Sequence, residues 1–236
     1  MPERLYTEYP TLYDAIQSSW DYYRDVAFVE AARERHDVAG DRLLEIGCGT
    51  GEHTKRFAEG GYHVTAIDPF DGMLSLAREK CDGKGNVDFL QTGLPDPALE
   101  GEFDVIVAIR GVVNHLPPED LAPALESLGD LLADGGVLVF DNSPLPKEGN
   151  HPAIDLGEFE DGTYARIVQM NPTEAGRLSW DAVVFLSDGE FFIDSREMTP
   201  FEDLTVAEVL SQQGFRFETH EGFGPDDGRT VFVVTH

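Results

Sequence analysis

Three glycines at alternate positions and two carboxylates at strand ends are the residues of this chain best suited to chemistry. Leu43-Leu44-Glu45-Ile46 is a short apolar run ending near an acid, and Gly47, Gly49 and Gly51 follow it. Glu52-His53-Thr54-Lys55-Arg56-Phe57-Ala58 then continues with helical character. The pattern predicts strand, tight turn and helix. Glycine at such a turn admits positive φ and lets the main chain come close to a ligand. The first N–H groups of the following helix face the same space. A second strand, Tyr62 to Ile67, ends in Asp68. A carboxylate about 20 residues beyond such a turn takes ribose hydroxyls in nucleotide-binding βαβ units. It is acceptor-only and can hold both hydroxyls of a cis-diol. Asp68 could also cap the helix that Pro69 opens, and one side chain can serve both purposes. Turn and acid together point to an adenosyl ligand.

The spacing selects among such ligands. The dinucleotide fingerprint G-x-G-x-x-G, begun at Gly47, requires glycine at position 52, which is Glu52. The order Glu45-x-Gly47-x-Gly49-x-Gly51 instead resembles the first motif of the class I S-adenosylmethionine (SAM) methyltransferases. SAM carries an amino-acid zwitterion and a sulfonium cation but no phosphate. Acids at the strand end (Glu45) and helix start (Glu52) would repel pyrophosphate and tolerate that cation. A nicotinamide oxidoreductase is disfavoured on the same ground.

The 236 residues suit one large domain with a sizeable core. No apolar run is long enough to span a bilayer and no leader-like segment opens the chain, so the expected location is cytoplasmic. Cys48 and Cys81 suggest neither a disulfide framework nor a metal site, and the histidines lack zinc-ligand spacing. The formal net charge is −28. Nucleic acid and anionic membranes are therefore excluded as partners, since their phosphates would be repelled. Acid is spread along the whole chain, which suggests a surface adapted to a high-salt cytoplasm.

The elements that must position these groups follow in order. Tyr9 to Val29 is aromatic-rich with apolar residues at helical spacing (Tyr22, Val26, Val29), predicting one or two helices over the open edge of the cleft. Phe70–Glu79 reads as a helix, Asn86–Leu90 and Phe103–Ile109 as strands, and Pro118–Leu132 as a helix. Gly135-Gly136 turns the chain into a fifth strand, Val137–Asp141. After a loop through Asn150-His151-Pro152, Tyr164–Met170, Arg177–Leu186 and Glu190–Glu197 read as antiparallel strands, with turn signals between them. Thr205–Gln213 is the last helix, and Phe215–Glu221 with Thr230–Thr235 form a final antiparallel pair. The expected fold is α/β: a Rossmann-like, doubly wound, seven-stranded sheet with an antiparallel strand insertion after the fifth strand. It forms a single domain over residues 1–236, with residues 1–40 as a helical cap and 159–199 as the inserted subdomain.

Further motifs extend the resemblance from Leu43 to Asp141. Phe103-Asp104-Val105-Ile106-Val107 resembles the fourth-strand motif, and Leu131 to Val139 the glycine-glycine fifth-strand motif. The aromatic N-terminal segment, the strand insertion and the closing Gly-Phe look like the amino-sugar N-methyltransferases, with glycine N-methyltransferases more distant. Gly93 stands where many relatives carry an acid near the adenine, so that contact passes to backbone groups of Thr92 to Leu94, or to Gln91 or Asp96. The resemblance implies SAM as cofactor, S-adenosylhomocysteine as product and a small-molecule methyl acceptor, at nitrogen before oxygen. Glu45, Gly47, Gly49, Gly51, Asp68, Met73, Gly93, Leu94 and Ile109 are the expected cofactor residues, with Met73 beneath the adenine. Tyr23 and Arg110 are the expected substrate residues; Arg110 could pair with a carboxylate or phosphate, or form a plain salt bridge. His115 and Tyr13 are the candidates for catalysis, and His115 could instead cap the next helix or pack in its loop. Alternatives are an O-methyltransferase of a small metabolite and a non-catalytic SAM- or nucleotide-binding protein. A homodimer through the inserted strands is left open.

Overall fold

A computed structural model describes residues 3–236. Helices α1 to α7 span Arg4–Thr7, Pro10–Ile16, Tyr22–Arg35, Glu52–Glu59, Asp71–Lys80, Leu121–Asp130 and Asp203–Gln212. Strands β1 to β5 span Arg42–Ile46, His63–Ile67, Val87–Leu90, Phe103–Ala108 and Leu132–Asn142. Strands β6 to β9 span Ala153–Phe159, Gly162–Pro172, Leu178–Leu186 and Phe191–Met198, and β10 and β11 span Arg216–Glu221 and Thr230–Thr235. None of the described helices is long and apolar enough to cross a membrane.

The chain divides into two units. The larger, Asp21–Pro144 with Phe201–His236, holds a seven-stranded sheet in the order β10-β11-β5-β4-β1-β2-β3. Its first five strands are parallel, and β11 runs antiparallel between β5 and β10. This is the expected Rossmann-like arrangement. Successive side chains of a strand point to opposite faces, and two cores result. Leu43, Val105, Val107, Val137 and Val139 pack with Val29, Phe57 and Leu74 of α3, α4 and α5. Leu44, Ile106, Leu138 and Phe140 pack with Leu121, Leu125 and Leu128 of α6 and Val206 and Leu210 of α7. Both faces are covered, which is why β4 reads as a continuous apolar run. Cys48 and Cys81 are free and buried.

Two boundaries differ from the sequence reading. The fifth strand begins at Leu132, not Val137: Phe103 pairs with Leu132 and Val105 with Val137, so the chain bulges over Ala133 to Gly136, with Gly135 at φ +75°. The segment from Pro118 opens with a 3₁₀ turn through Asp120 before α6 starts.

The smaller unit joins residues 3–20 to Leu145–Pro200. Its sheet is antiparallel, in the order β6-β7-β8-β9. Strand β6 follows the expected loop, in a stretch to which the sequence reading assigned no element. A Cβ on Gly157, in its middle, would sit 2.6 Å from the Tyr164 ring, which occupies that space from β7. The N-terminal helices pack on this sheet: Tyr9 stacks on Phe192 at 4.2 Å, and the Leu5 N–H donates to Asp194 at 3.0 Å. Residues 1–40, expected as a helical cap of one or two helices, are shared between the units, α1 and α2 in one and α3 in the other; Met1 and Pro2 lie outside the described residues.

Candidate functional site

The glycine turn leaves β1 at the carboxyl end of the parallel strands, where open α/β sheets bind ligands. Gly47 (φ +66°) is required by a close approach, since a Cβ would lie 2.8 Å from Val112 in the turn after β4. Gly51 packs equally tightly on Ala77 of α5 and caps α4 in the left-handed conformation. Gly49 (φ +54°) is different: nothing lies within 4 Å of the position a Cβ would take. That space is the cradle.

Asp68 closes one side of it. Its carboxylate is 5% exposed and accepts from the Gly49 N–H and the Phe70 N–H, both at 2.9 Å. It therefore clamps the glycine turn to the start of α5, whose N-cap is Phe70. A carboxylate has about four lone-pair sites, so these two bonds are compatible with ribose hydroxyls. The loop after β3 runs alongside: Gly93 approaches Pro69, and the Gln91 amide donates to the Pro69 carbonyl at 3.0 Å. Asp96 is tied locally, accepting from the Ala98 N–H. Gly93 and Leu94 are half-buried beside Pro69 and the core.

Glu45 is held inside the fold. Its side chain is 2% exposed and accepts from the Thr54 hydroxyl at 2.6 Å, so it fastens the strand to α4 inside the fold. Burial, with a smaller push from Asp68, raises its pKa from 4.5 to about 8. At neutral pH it is the neutral acid and offers no charge to a cation. Glu52 is charged but engaged, with Lys80 at 2.8 Å and Arg56 beside it. Burial opposes its ionisation, and those two bonds outweigh it and lower its pKa. Met73 and Ile109, expected at the cofactor, are 2% and 5% exposed and packed into the core.

Glu45 yields a measurable consequence. A folded-state pKa above the unfolded value means the folded protein holds a proton that the unfolded chain releases. The stability that Glu45 contributes is therefore fully present below pH 4.5 and is lost as pH rises toward about 8. Each pH unit inside the window costs at most about 1.4 kcal/mol. Asp141, raised by burial from 3.8 to about 6, adds a similar fall at lower pH. Glu45→Gln keeps the bond to Thr54 without the titration, so denaturant unfolding between pH 6 and 8 is expected to flatten in the variant. An unchanged slope would mean that Glu45 is ionised in the fold.

A polar network at the strand ends was not legible in the sequence. Arg110 follows β4 with φ +73°, a costly conformation for a side-chain-bearing residue. It is held there because Asp141, at the end of β5, accepts from both the Arg110 and Gly111 N–H groups. Arg229 lies 3.3 Å from Asp141 and also pairs with Asp227. Arg24 bridges Asp227 and Asp25, and Asp25 meets His53 of α4 at 3.1 Å. Burial lowers the His53 pKa against the pull of Asp25, so the ring is neutral at neutral pH. Tyr22 completes the set, edge-on to His53 at 4.8 Å, with its hydroxyl accepting from Arg110 at 3.2 Å. Tyr23, expected at the substrate, is 70% exposed, and the Arg56 guanidinium stacks on its ring. The helical phase Tyr22-Val26-Val29 carried the signal for the placement of Tyr22.

The next turn carries His115. It belongs to the 3₁₀ turn Val113–His115, held by the fully buried Asn114, which donates to Asn142 at 2.8 Å and accepts from the Ser143 N–H at 2.9 Å. His115 is half-buried and does not cap α6, which begins at Leu121. Tyr13 lies in the smaller unit, edge-on to Tyr6 at 5.5 Å.

An open glycine cradle, a diol-type carboxylate and a turn with a half-buried histidine fit an adenosyl cofactor that carries a transferable group. The family described as "Methyltransferase domain" matches residues 43–136. An uncharacterized methyltransferase of Geobacillus kaustophilus is 32% identical over 158 residues, 64% of this chain and 71% of that protein. The chain belongs to the SAM-dependent methyltransferases. SAM-bound CalS10 of Micromonospora echinaspora, an amino pentose methyltransferase, is similar at 25% identity and TM-score 0.76, covering 100% of this chain and 99% of that one. KedS8, a sugar N-methyltransferase of Streptoalloteichus sp, shares the fold at TM-score 0.82 and 24% identity, with 100% and 95% coverage. Other curated relatives are matched over less of their length, 62% of one from Bacillus subtilis and 56% of one from Geobacillus sp..

Proposed function

We propose that this protein methylates the amine nitrogen of a small molecule, an amino sugar being the class the neighbours favour. The observation that carries the reading is the pairing of the Gly49 cradle with the Asp68 carboxylate. When bound, SAM supplies an electrophilic methyl group on a sulfonium. The chain's own residues then have distinct tasks. Gly49 gives the main chain its close approach, and Asp68 takes the ribose diol. The half-buried Arg110, backed by Tyr22, pairs with an anionic group of cofactor or acceptor. His115 accepts the proton that an ammonium must lose before its lone pair can attack. The rest is alignment with water excluded. CalS10 is an amino pentose methyltransferase, and an amino sugar is an acceptor class that offers an amine. Incubation with methyl-labelled SAM and a panel of nucleotide-linked amino sugars, their hydroxyl analogues and free amines tests it. Label on amine-bearing acceptors alone is expected; label only on hydroxyl analogues would contradict it.

The site belongs, in the same proposal, to a protein of a high-salt cytoplasm. A net charge of −28 repels itself until screened. The melting temperature is expected to climb steadily from about 0.2 M to about 3 M KCl, beyond the range where simple screening saturates. A flat profile would remove the salt-adapted reading.

A further inference from the structure

The turn that leaves β4 is tied to the end of β5 by one buried carboxylate. Arg110 and Gly111 are both left-handed, at φ +73° and +71°. Glycine adopts that conformation freely, whereas a residue with a side chain rarely does. Successive N–H groups so turned converge and form an anion-binding concavity. Asp141, fully buried, occupies it. Its Oδ1 accepts from the Arg110 N–H, and its Oδ2 accepts from the Gly111 N–H at 2.9 Å and the Ser143 hydroxyl at 3.4 Å. Arg229 stands 3.3 Å from the same oxygen. An ionised carboxylate has about four acceptor sites, and these partners fill them. The further charges around it are Asp227, which pairs with Arg229, and Arg24, which pairs with Asp227. The Arg110 side chain leaves this turn toward Tyr22, donating to its hydroxyl at 3.2 Å with the guanidinium 5.5 Å from the ring centroid.

We propose that Asp141 is a positioning residue for cofactor binding: by holding Arg110 in its left-handed conformation, it aims the guanidinium at the carboxylate on the methionine end of SAM. The inference rests on the cofactor reading above. Strand order supplies the direction. Strands β4, β1 and β2 are neighbours, each about 4.8 Å from the next. With the ribose at Asp68 after β2, and the loop after β3 beyond it, the amino-acid end of SAM crosses the glycine turn after β1 toward β4. The turn after β4 meets it there, since Val112 fills the space that a Cβ on Gly47 would need. An arginine fork matches a carboxylate with two parallel hydrogen bonds, and that match depends on where the fork is aimed. When protonated, Asp141 gives up an acceptor site and gains an O–H. Its grip on the two N–H groups then weakens, and Arg110 can leave a conformation it disfavours.

Burial raises the Asp141 pKa from 3.8 to about 6, against the pull of Arg229 and the two N–H groups. Calorimetric SAM affinity of the wild type, at one KCl concentration, is therefore expected to fall about tenfold from pH 7 to pH 5, following the ionised fraction. The fold gains from the same protonation, so that loss is not unfolding. Asp141→Asn should bind SAM about ten- to a hundredfold more weakly at pH 7, with little further change down to pH 5. Arg110→Gly suits the left-handed position and should be as weak and as flat with pH. Adding Asp141→Asn to it should weaken binding no further, because Asp141 acts through Arg110. Should Asp141→Asn not fold, the pH series of the wild type and of Arg110→Gly carry the test. Unchanged affinity in Asp141→Asn, a flat wild-type profile, a pH dependence kept in Arg110→Gly, or additive losses in the double variant would overturn the proposal while leaving SAM binding intact. A wild type that binds no SAM at pH 7 would instead overturn the cofactor reading, and this inference with it.

Discussion

Replacing His115 by alanine is expected to leave SAM affinity unchanged and to lower kcat about 10²- to 10⁴-fold, the range for loss of a general base. The turn Val113–His115 is tied by Asn114 to Asn142 and Ser143 at the end of β5, which presents the half-buried imidazole. An amine at neutral pH is mostly protonated, and histidine titrates in the range where it can take that proton. The defect should therefore shrink as pH rises and free amine accumulates, which loss of a packing residue would not produce. Asn114→Ala is the informative comparison. It leaves Asn142 and the Ser143 N–H without their partner, and should lower stability by about 1–3 kcal/mol together with kcat. Wild-type turnover in His115→Ala would assign that residue to the loop's structure.

Asp68→Ala is expected to weaken SAM binding about ten- to a hundredfold, or 1.4–2.8 kcal/mol, the amount that hydrogen bonds to a charged group supply. The same carboxylate satisfies the Gly49 and Phe70 N–H groups, so the variant also loses stability. Asp68→Asn separates the two effects. Its amide oxygen can still accept one backbone bond, while its acceptor capacity and charge toward a diol are reduced. Binding should fall in both variants and stability mainly in the alanine one. A calorimetric affinity unchanged in both would restrict Asp68 to holding the turn.

The sheet, the glycine turn and Asp68 were legible because each is local. Strand period, glycine spacing and an acid at a strand end lie within short windows, and burial on both faces reinforces them. Tyr22 was legible in principle, since its phase with Val26 and Val29 puts it on the buried face, whereas Tyr23 points to solvent. Strand β6 was hidden because Gly157 accommodates Tyr164, a reason that lies on another strand. The network from Asp25 through His53, Arg24, Asp227 and Arg229 to Asp141 joins residues far apart in sequence, and no window contains it. Glu45 shows a subtler limit: the sequence placed the acid correctly, but only the fold reveals that burial leaves it neutral.

The central claim is that the cradle beside Gly49 and Asp68 holds SAM. Isothermal titration of the wild-type protein with SAM, in high KCl and with nicotinamide adenine dinucleotide as the comparison ligand, tests it most directly. The account predicts saturable binding of one SAM per chain, displaced by S-adenosylhomocysteine and weakened by Asp68→Ala, with no heat from the dinucleotide. Binding of the dinucleotide with none of SAM would contradict it.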